Sequence, residues 1–131
     1  MASPKPLPSD LEEFRQSYAD LFGEMPPLPA AKFAFSPDVD PQALRLSEEA
    51  RAHAFESDVF DRKTTQLVLF GMLLSQGVPA AKEHARAAIR AGATWEELHK
   101  IVELASVSRA LGPFNQGAAF LEQLRDGTKS D

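Results

Sequence analysis

The chain has 131 residues, of which 44% are hydrophobic and 25% charged, a balance that provides one continuous core and argues against wholesale disorder. Its formal net charge is -5 with lysines and arginines dispersed, so the basic strip that a nucleic-acid partner requires is missing. Cysteine is absent, which excludes disulfides, thiolate metal sites, CxxC redox chemistry and a cysteine nucleophile, because each needs the sulfur itself.

The longest apolar run, residues 67–74, is far below the roughly 20 residues of a membrane-spanning helix. The opening residues lack the apolar stretch of a signal peptide. The expectation is a cytoplasmic protein with no membrane partner.

Residues 1–8 carry three of the ten prolines and no apolar periodicity, and read as a flexible lead-in. From residue 9 to residue 127 a single all-helical domain is expected, with residues 128–131 as a flexible tail. Ser9 with Glu12 forms the pattern of a capping box, and Leu11, Phe14, Tyr18, Leu21 and Phe22 recur on one face of the helix it opens. Gly23 is placed to stop that helix. Pro26, Pro27 and Pro29 break the pattern, and residues 32–37 form a connector with Phe33 and Phe35 whose conformation the residues leave open. Asp40 followed by Pro41 starts the next helix, which runs to about Phe55.

A third helix begins at Asp61. Its span of residues 67–74 is apolar around the whole circumference, the mark of a central, buried helix. Gly77, Val78 and Pro79 form a tight break. In the helix of residues 80–91, Ala80, His84, Ala87, Ala88 and Ala91 share one face, and Lys82, Glu83, Arg86 and Arg90 cover the other. Gly92 ends it, and Thr94 with Glu97 caps a fifth helix carrying Leu98, Ile101, Val102, Leu104 and Ala105. Gly112 and Pro113 mark a stop and a restart, and Phe114, Ala118, Leu121 and Leu124 lie on a sixth helix ending near Gly127. No strand pattern competes, so the fold class is all-α, a compact bundle of about six helices.

The run His84-Ala85-Arg86-Ala87-Ala88, followed by Ala91-Gly92-Ala93-Thr94-Trp95-Glu96-Glu97-Leu98, resembles the core pattern of the carboxymuconolactone decarboxylase and alkylhydroperoxidase D superfamily. Lys63-Thr64-Thr65-Gln66-Leu67 is similar to the K-T-R-E-L opening of that superfamily's central helix. The likeness covers about residues 60–124. It implies an alkylhydroperoxidase D-like subunit whose central helix hairpin forms the active site, in trimers or larger rings with pockets near subunit contacts.

Peroxidase members use a CxxC pair with a histidine four residues after the second cysteine, plus a relay glutamate on the preceding helix. Of that set this sequence keeps the histidine, His84. The cysteine positions fall on Gly77 and Ala80, or in the register counted forward from the helix opening on Val78 and Ala81, and the relay glutamate falls on Gln66. Decarboxylase members carry a glutamate four residues before the histidine, which here is Ala80. The sequence therefore departs from both site patterns, and dithiol peroxidase chemistry is excluded.

His84 is the candidate catalytic residue, because an imidazole titrates near neutrality and this one sits on an alanine face. A core histidine bonded to a backbone carbonyl is the competing reading. Glu83 points about 100° away, toward its i+3 partner Arg86 and solvent. Gln66, Gln76 and Asn115 are candidates for orienting a substrate carbonyl or carboxylate, against ordinary capping or exposure. Arg109 is suited to pair with a substrate carboxylate, against a favourable contact with its own helix end. His53 and His99 have no partner at ligand spacing, so neither a metal nor a cofactor is expected.

The functional expectation is a cofactor-free enzyme acting on a small molecule, in which His84 exchanges a proton with a lactone or keto acid, with or without decarboxylation. The alternative is an inactive oligomeric scaffold. A homo-oligomer, a trimer or a multiple of one, is expected in either case.

Overall fold

The computed structural model describes residues 5–129. These form an all-α compact bundle of six helices: α1 (Ser9–Phe22), α2 (Pro27–Val39), α3 (Pro41–Phe55), α4 (Arg62–Gln76), α5 (Ala81–Arg90) and α6 (Trp95–Lys129). Six helices were expected, but the chain divides them differently. The proline-rich connector is itself a helix, α2, and the expected fifth and sixth helices are one, α6.

The first difference follows from where the prolines stand. The first amides of a helix have no partner within it, so Pro27 and Pro29 in the opening turn of α2 cost no hydrogen bond, and Pro26 supplies the extended residue before it. What anchors α2 is Phe33, buried edge-on against Tyr18. The second difference is at Pro113, which lies inside α6 with Gly112 before it and does not divide it. The helix continues past Gly127 to Lys129. The expected lead-in of residues 1–8 lies partly outside the described residues, as do residues 130 and 131. Within it, Lys5 pairs with Asp38 and Leu7 packs on the core.

The helix signals are otherwise used as placed, with one exception. Asp40 accepts from the Ala43 amide (3.0 Å) and Asp61 from that of Thr64 (2.7 Å). Thr94 and Glu97 exchange the two bonds of a capping box, at 3.0 and 2.9 Å. Ser9 and Glu12 do not: Pro8 precedes α1 without a side-chain cap, and Glu12 turns to Arg15. Gly23 and Gly77 end α1 and α4 at φ +86° and +71°, a backbone region that favours glycine.

Two apolar clusters make the core. Leu11, Tyr18, Phe22, Phe33 and Leu44 from α1 to α3 form one, and Phe70 of α4 with Leu98 of α6 anchors the other. The short helix α5 belongs to both, giving Ala87 to the first and Ala88 to the second. Alanines on this helix permit the close α4–α5 packing, the most extensive in the fold. His84 lies one turn before them, on the seam between the clusters.

The all-round apolar span of α4, residues 67–74, is only partly covered. Phe70 is buried, but Val68 and Met72 are about half exposed, beside a shallow groove shared with α6. From Val102 to Thr128 every residue but Ala105 and Gly117 is exposed, Leu111, Phe114, Leu121 and Leu124 among them. Among the described residues no helix is long and apolar enough to cross a membrane.

Candidate active site

His84 is 8% exposed and held on three sides. The rings of Phe22 and Phe55 meet it almost perpendicularly, with centroids 5.4 and 5.9 Å away. On the third side, Nδ1 lies 2.7 Å from Oε1 of Gln66, a residue 1% exposed in the second turn of α4. An amide oxygen only accepts, so Nδ1 carries the proton and Nε2 holds the free lone pair. Burial, reinforced by the positive charge of Arg51, pushes the imidazole down to about 4 from an ordinary 6.5. The ring is therefore neutral at physiological pH and has a proton-accepting atom to offer.

Beside this pair is a buried charged cluster built on α3. Leu44, Glu48, Arg51 and Phe55 follow one another at helical spacing, so the inward face of α3 carries a carboxylate and a guanidinium among apolar groups. Glu48, with no exposed surface, accepts from the Tyr18 hydroxyl (2.7 Å), from Arg51 Nε (2.9 Å) and from Lys32 of α2. Burial pushes the Glu48 carboxyl up, but the bonds from Lys32, Tyr18 and Arg51 outweigh it and hold the group below its usual range. Burial and the bond to Glu48 push the Tyr18 phenol up in turn. Arg51 is fixed by Glu48, by Ser17 Oγ (2.7 Å) and by stacking 3.8 Å from the centre of the Tyr18 ring.

Two cavities meet this wall. One, of about 380 Å³, is lined by His84, Phe22, Phe55, Arg51 and the turn at Pro79 and Ala80, and is largely apolar. The other, of about 540 Å³, lies between α1, the end of α3 and the start of α4, with Gln66, Arg51 and Phe55 on its inner wall. Each cavity thus receives one partner of the His84–Gln66 pair, and Arg51 and Phe55 face both.

Of the five site residues expected from sequence, the fold brings His84 and Gln66 together. Gln76 is exposed at the last position of α4, and Asn115 is exposed in the middle of α6 rather than at a helix end. Arg109 is exposed and donates to the Ser75 carbonyl oxygen, joining α6 to the end of α4. None of these three lines either cavity beside His84. Glu83 pairs with Arg86 at 2.5 Å as its spacing implied, yet it also lines the smaller cavity rather than pointing wholly to solvent. The residues missed are Arg51, Glu48 and Tyr18. Their signal was present in α3, where a Glu and an Arg occupy core-facing positions.

Among the described residues there is no group of three or more His, Cys, Asp or Glu side chains that would hold a metal ion. A family profile, that of the carboxymuconolactone decarboxylase family, matches residues 41–123. No curated protein and no solved structure shows significant similarity to the chain.

Proposed function

As the chain belongs to the carboxymuconolactone decarboxylase family, we propose that it is a cofactor-free enzyme acting on a small carbonyl compound, a lactone or keto acid, with His84 as its proton-transfer group. The observation that carries this reading is the cavity beside His84: the space is open rather than filled by side chains, and the one polar atom of the ring left unpaired is a proton acceptor. Residues 9–127 act as its one domain, because α5 belongs to both core clusters.

A neutral imidazole takes a proton before it gives one. Nε2 removes a proton from the carbon beside the substrate carbonyl, and the electron pair of that C–H bond moves onto the carbonyl oxygen as an enolate. Where a carbon–carbon double bond of the substrate is conjugated with that enolate, returning the proton from the imidazolium to its far carbon moves the double bond. In a β-keto acid Nε2 instead takes the carboxyl proton, the bond to the carboxylate breaks as carbon dioxide leaves, and the imidazolium returns that proton to the carbon of the resulting enolate. Arg51 lines the same cavity and is suited to offset the negative charge in either case. Gln66 keeps Nδ1 as the donor, which leaves Nε2 free for the substrate.

The second reading, an inactive oligomeric scaffold, is favoured by one observation: the position of the peroxidases' relay glutamate is an amide, and no carboxylate among the described residues hydrogen-bonds to His84. Self-association fits both readings. The half-exposed Val68 and Met72 on the apolar span of α4, with the apolar side chains of α6 beyond Val102, form a surface that a second copy of the chain would cover, in a trimer or a multiple of one.

His84→Gln separates the readings. Glutamine fills similar space and hydrogen-bonds but does not accept a proton near neutrality. Against a screen of small lactones and β-keto acids, turnover is expected to fall by at least about 100-fold with helical content unchanged. Full activity in this variant, or its unfolding, would make the imidazole structural and give the scaffold reading the lead.

A further inference from the structure

The larger cavity is not used by the chemistry above, and its inner wall is unusual. Gln66 is 1% exposed and spends its amide oxygen on His84. Its amide nitrogen has no partner among the described residues, yet it is not sealed from every space, and the space that Gln66 lines is this cavity. A nearly buried primary amide that lines a cavity, with no hydrogen-bond partner for its nitrogen among the described residues, calls for an acceptor there. Arg51, on the same wall, has its Nε and one terminal nitrogen engaged by Glu48 and Ser17, and its other terminal nitrogen unpaired.

The rim carries the opposite preference. Asp20, Glu56, Asp58 and Asp61 are all exposed around the mouth, against Arg62 alone. Asp20 is engaged by Gln16 and Asp61 by the start of α4, which leaves Glu56 and Asp58 unpartnered among the described residues. Donors at the inner wall and free carboxylates at the mouth select a molecule that is negative or carbonyl-bearing at one end and positive at the other. A simple anion would be repelled on entry, and a simple cation would leave the inner donors unmatched.

We propose that this cavity is a second binding site, for a small zwitterion whose carboxylate is held by the Gln66 amide and Arg51 and whose ammonium group lies against Glu56 and Asp58. Binding on this side of the wall also acts on the other side. A carboxylate accepting from the Gln66 nitrogen fixes the amide with its oxygen toward His84, and so fixes the proton on Nδ1 and the lone pair on Nε2.

The test uses the full chain and three probes of one length: 4-aminobutyrate, butyrate and butylamine. Titrations followed by the Gln66 side-chain amide signals and the His84 ring nitrogens are expected to saturate with 4-aminobutyrate, and to show butyrate and butylamine at least about tenfold weaker. Gln66→Leu should weaken 4-aminobutyrate by about tenfold or more. The surface pair Glu56→Gln with Asp58→Asn, which leaves the core untouched, should remove the advantage of 4-aminobutyrate over butyrate. Absence of saturation at concentrations on the order of 10 mM, equal binding of butyrate, or an unchanged preference in the rim variant would each overturn the proposal. Because the binding requires no turnover, its failure leaves the His84 chemistry standing, and loss of that chemistry leaves this site standing.

Discussion

The proton affinity of His84 has a consequence for stability that can be measured without a substrate. In the unfolded chain the imidazole titrates at about 6.5; in the fold, burial and Arg51 bring it to about 4. Between those values the unfolded chain binds a proton that the folded chain refuses, so stability is full above about 6.5 and declines as the pH falls toward 4. Each step of one in pH across that window costs about 1.4 kcal/mol, and integration gives a loss of about 2 kcal/mol between pH 7 and pH 4.5. Glu48, Asp10, Asp61, Glu97 and Glu103 are all held below their usual range, so their losses begin at lower pH and leave the upper part of the window to His84. Urea denaturation at fixed protein concentration, repeated from pH 7 to pH 4.5 on the native chain and on His84→Gln, isolates the effect. The native chain is expected to lose about 2 kcal/mol more than the variant across that range. Parallel curves would show that the ring takes up its proton as readily folded as unfolded, and the account of a neutral, proton-accepting His84 would fail.

Three further outcomes follow from the packing. Glu48→Ala removes the acceptor shared by Tyr18, Lys32 and Arg51; with Lys32 partly open to water, the expected loss is about 2–4 kcal/mol in denaturant titrations, and a loss below about 1 kcal/mol would show that the cluster holds little. Thr94→Ala breaks the capping box and should cost about 1 kcal/mol, whereas Ser9→Ala, at a box that does not form, should be close to neutral in the same titration. Met72→Glu places a charge on the exposed apolar side of α4, and light scattering should show a smaller particle than the native assembly with helical content retained; a native chain that already scatters as a monomer would remove the basis for this face as a contact.

The parts of the fold that were legible in the sequence are those set by local chemistry. Asp40, Asp61 and Thr94 each announce a helix start, because a short oxygen-bearing side chain satisfies amides that the helix leaves free. Gly23 and Gly77 announce ends, since the left-handed turn is cheap only for glycine. Prolines were less legible because their meaning depends on position: the same residue that breaks a helix interior opens one in its first turn, and Pro27 and Pro29 fall in the opening turn of α2. The Gly112–Pro113 pair reads as a boundary by the same local rule, and α6 passes through it. The structure gives no packing reason for that continuity, since the helix on either side of the pair is exposed.

The site was legible where one helix suffices and obscure where several must meet. His84 stands out on α5 because its neighbours on that face are alanines. Gln66 stands out because it replaces an acid, and the consequence is now physical: an amide fixes the imidazole's tautomer without lending it negative charge, so nothing offsets burial and the ring stays a weak base. What the sequence does not display is that Arg51, 33 residues before His84, lines the same cavity and lowers its proton affinity further. That same charge supplies the remedy. A substrate carboxylate or enolate paired with Arg51 would cancel its effect on the ring and add a negative charge nearby, raising the proton affinity of Nε2 only when substrate is present. The missing acid of this site is then supplied by the molecule it binds: titrating the His84 ring signals with acetoacetate should raise the value from about 4 in the native chain, whereas in Arg51→Met the value starts higher, for want of that charge, and acetoacetate should not move it.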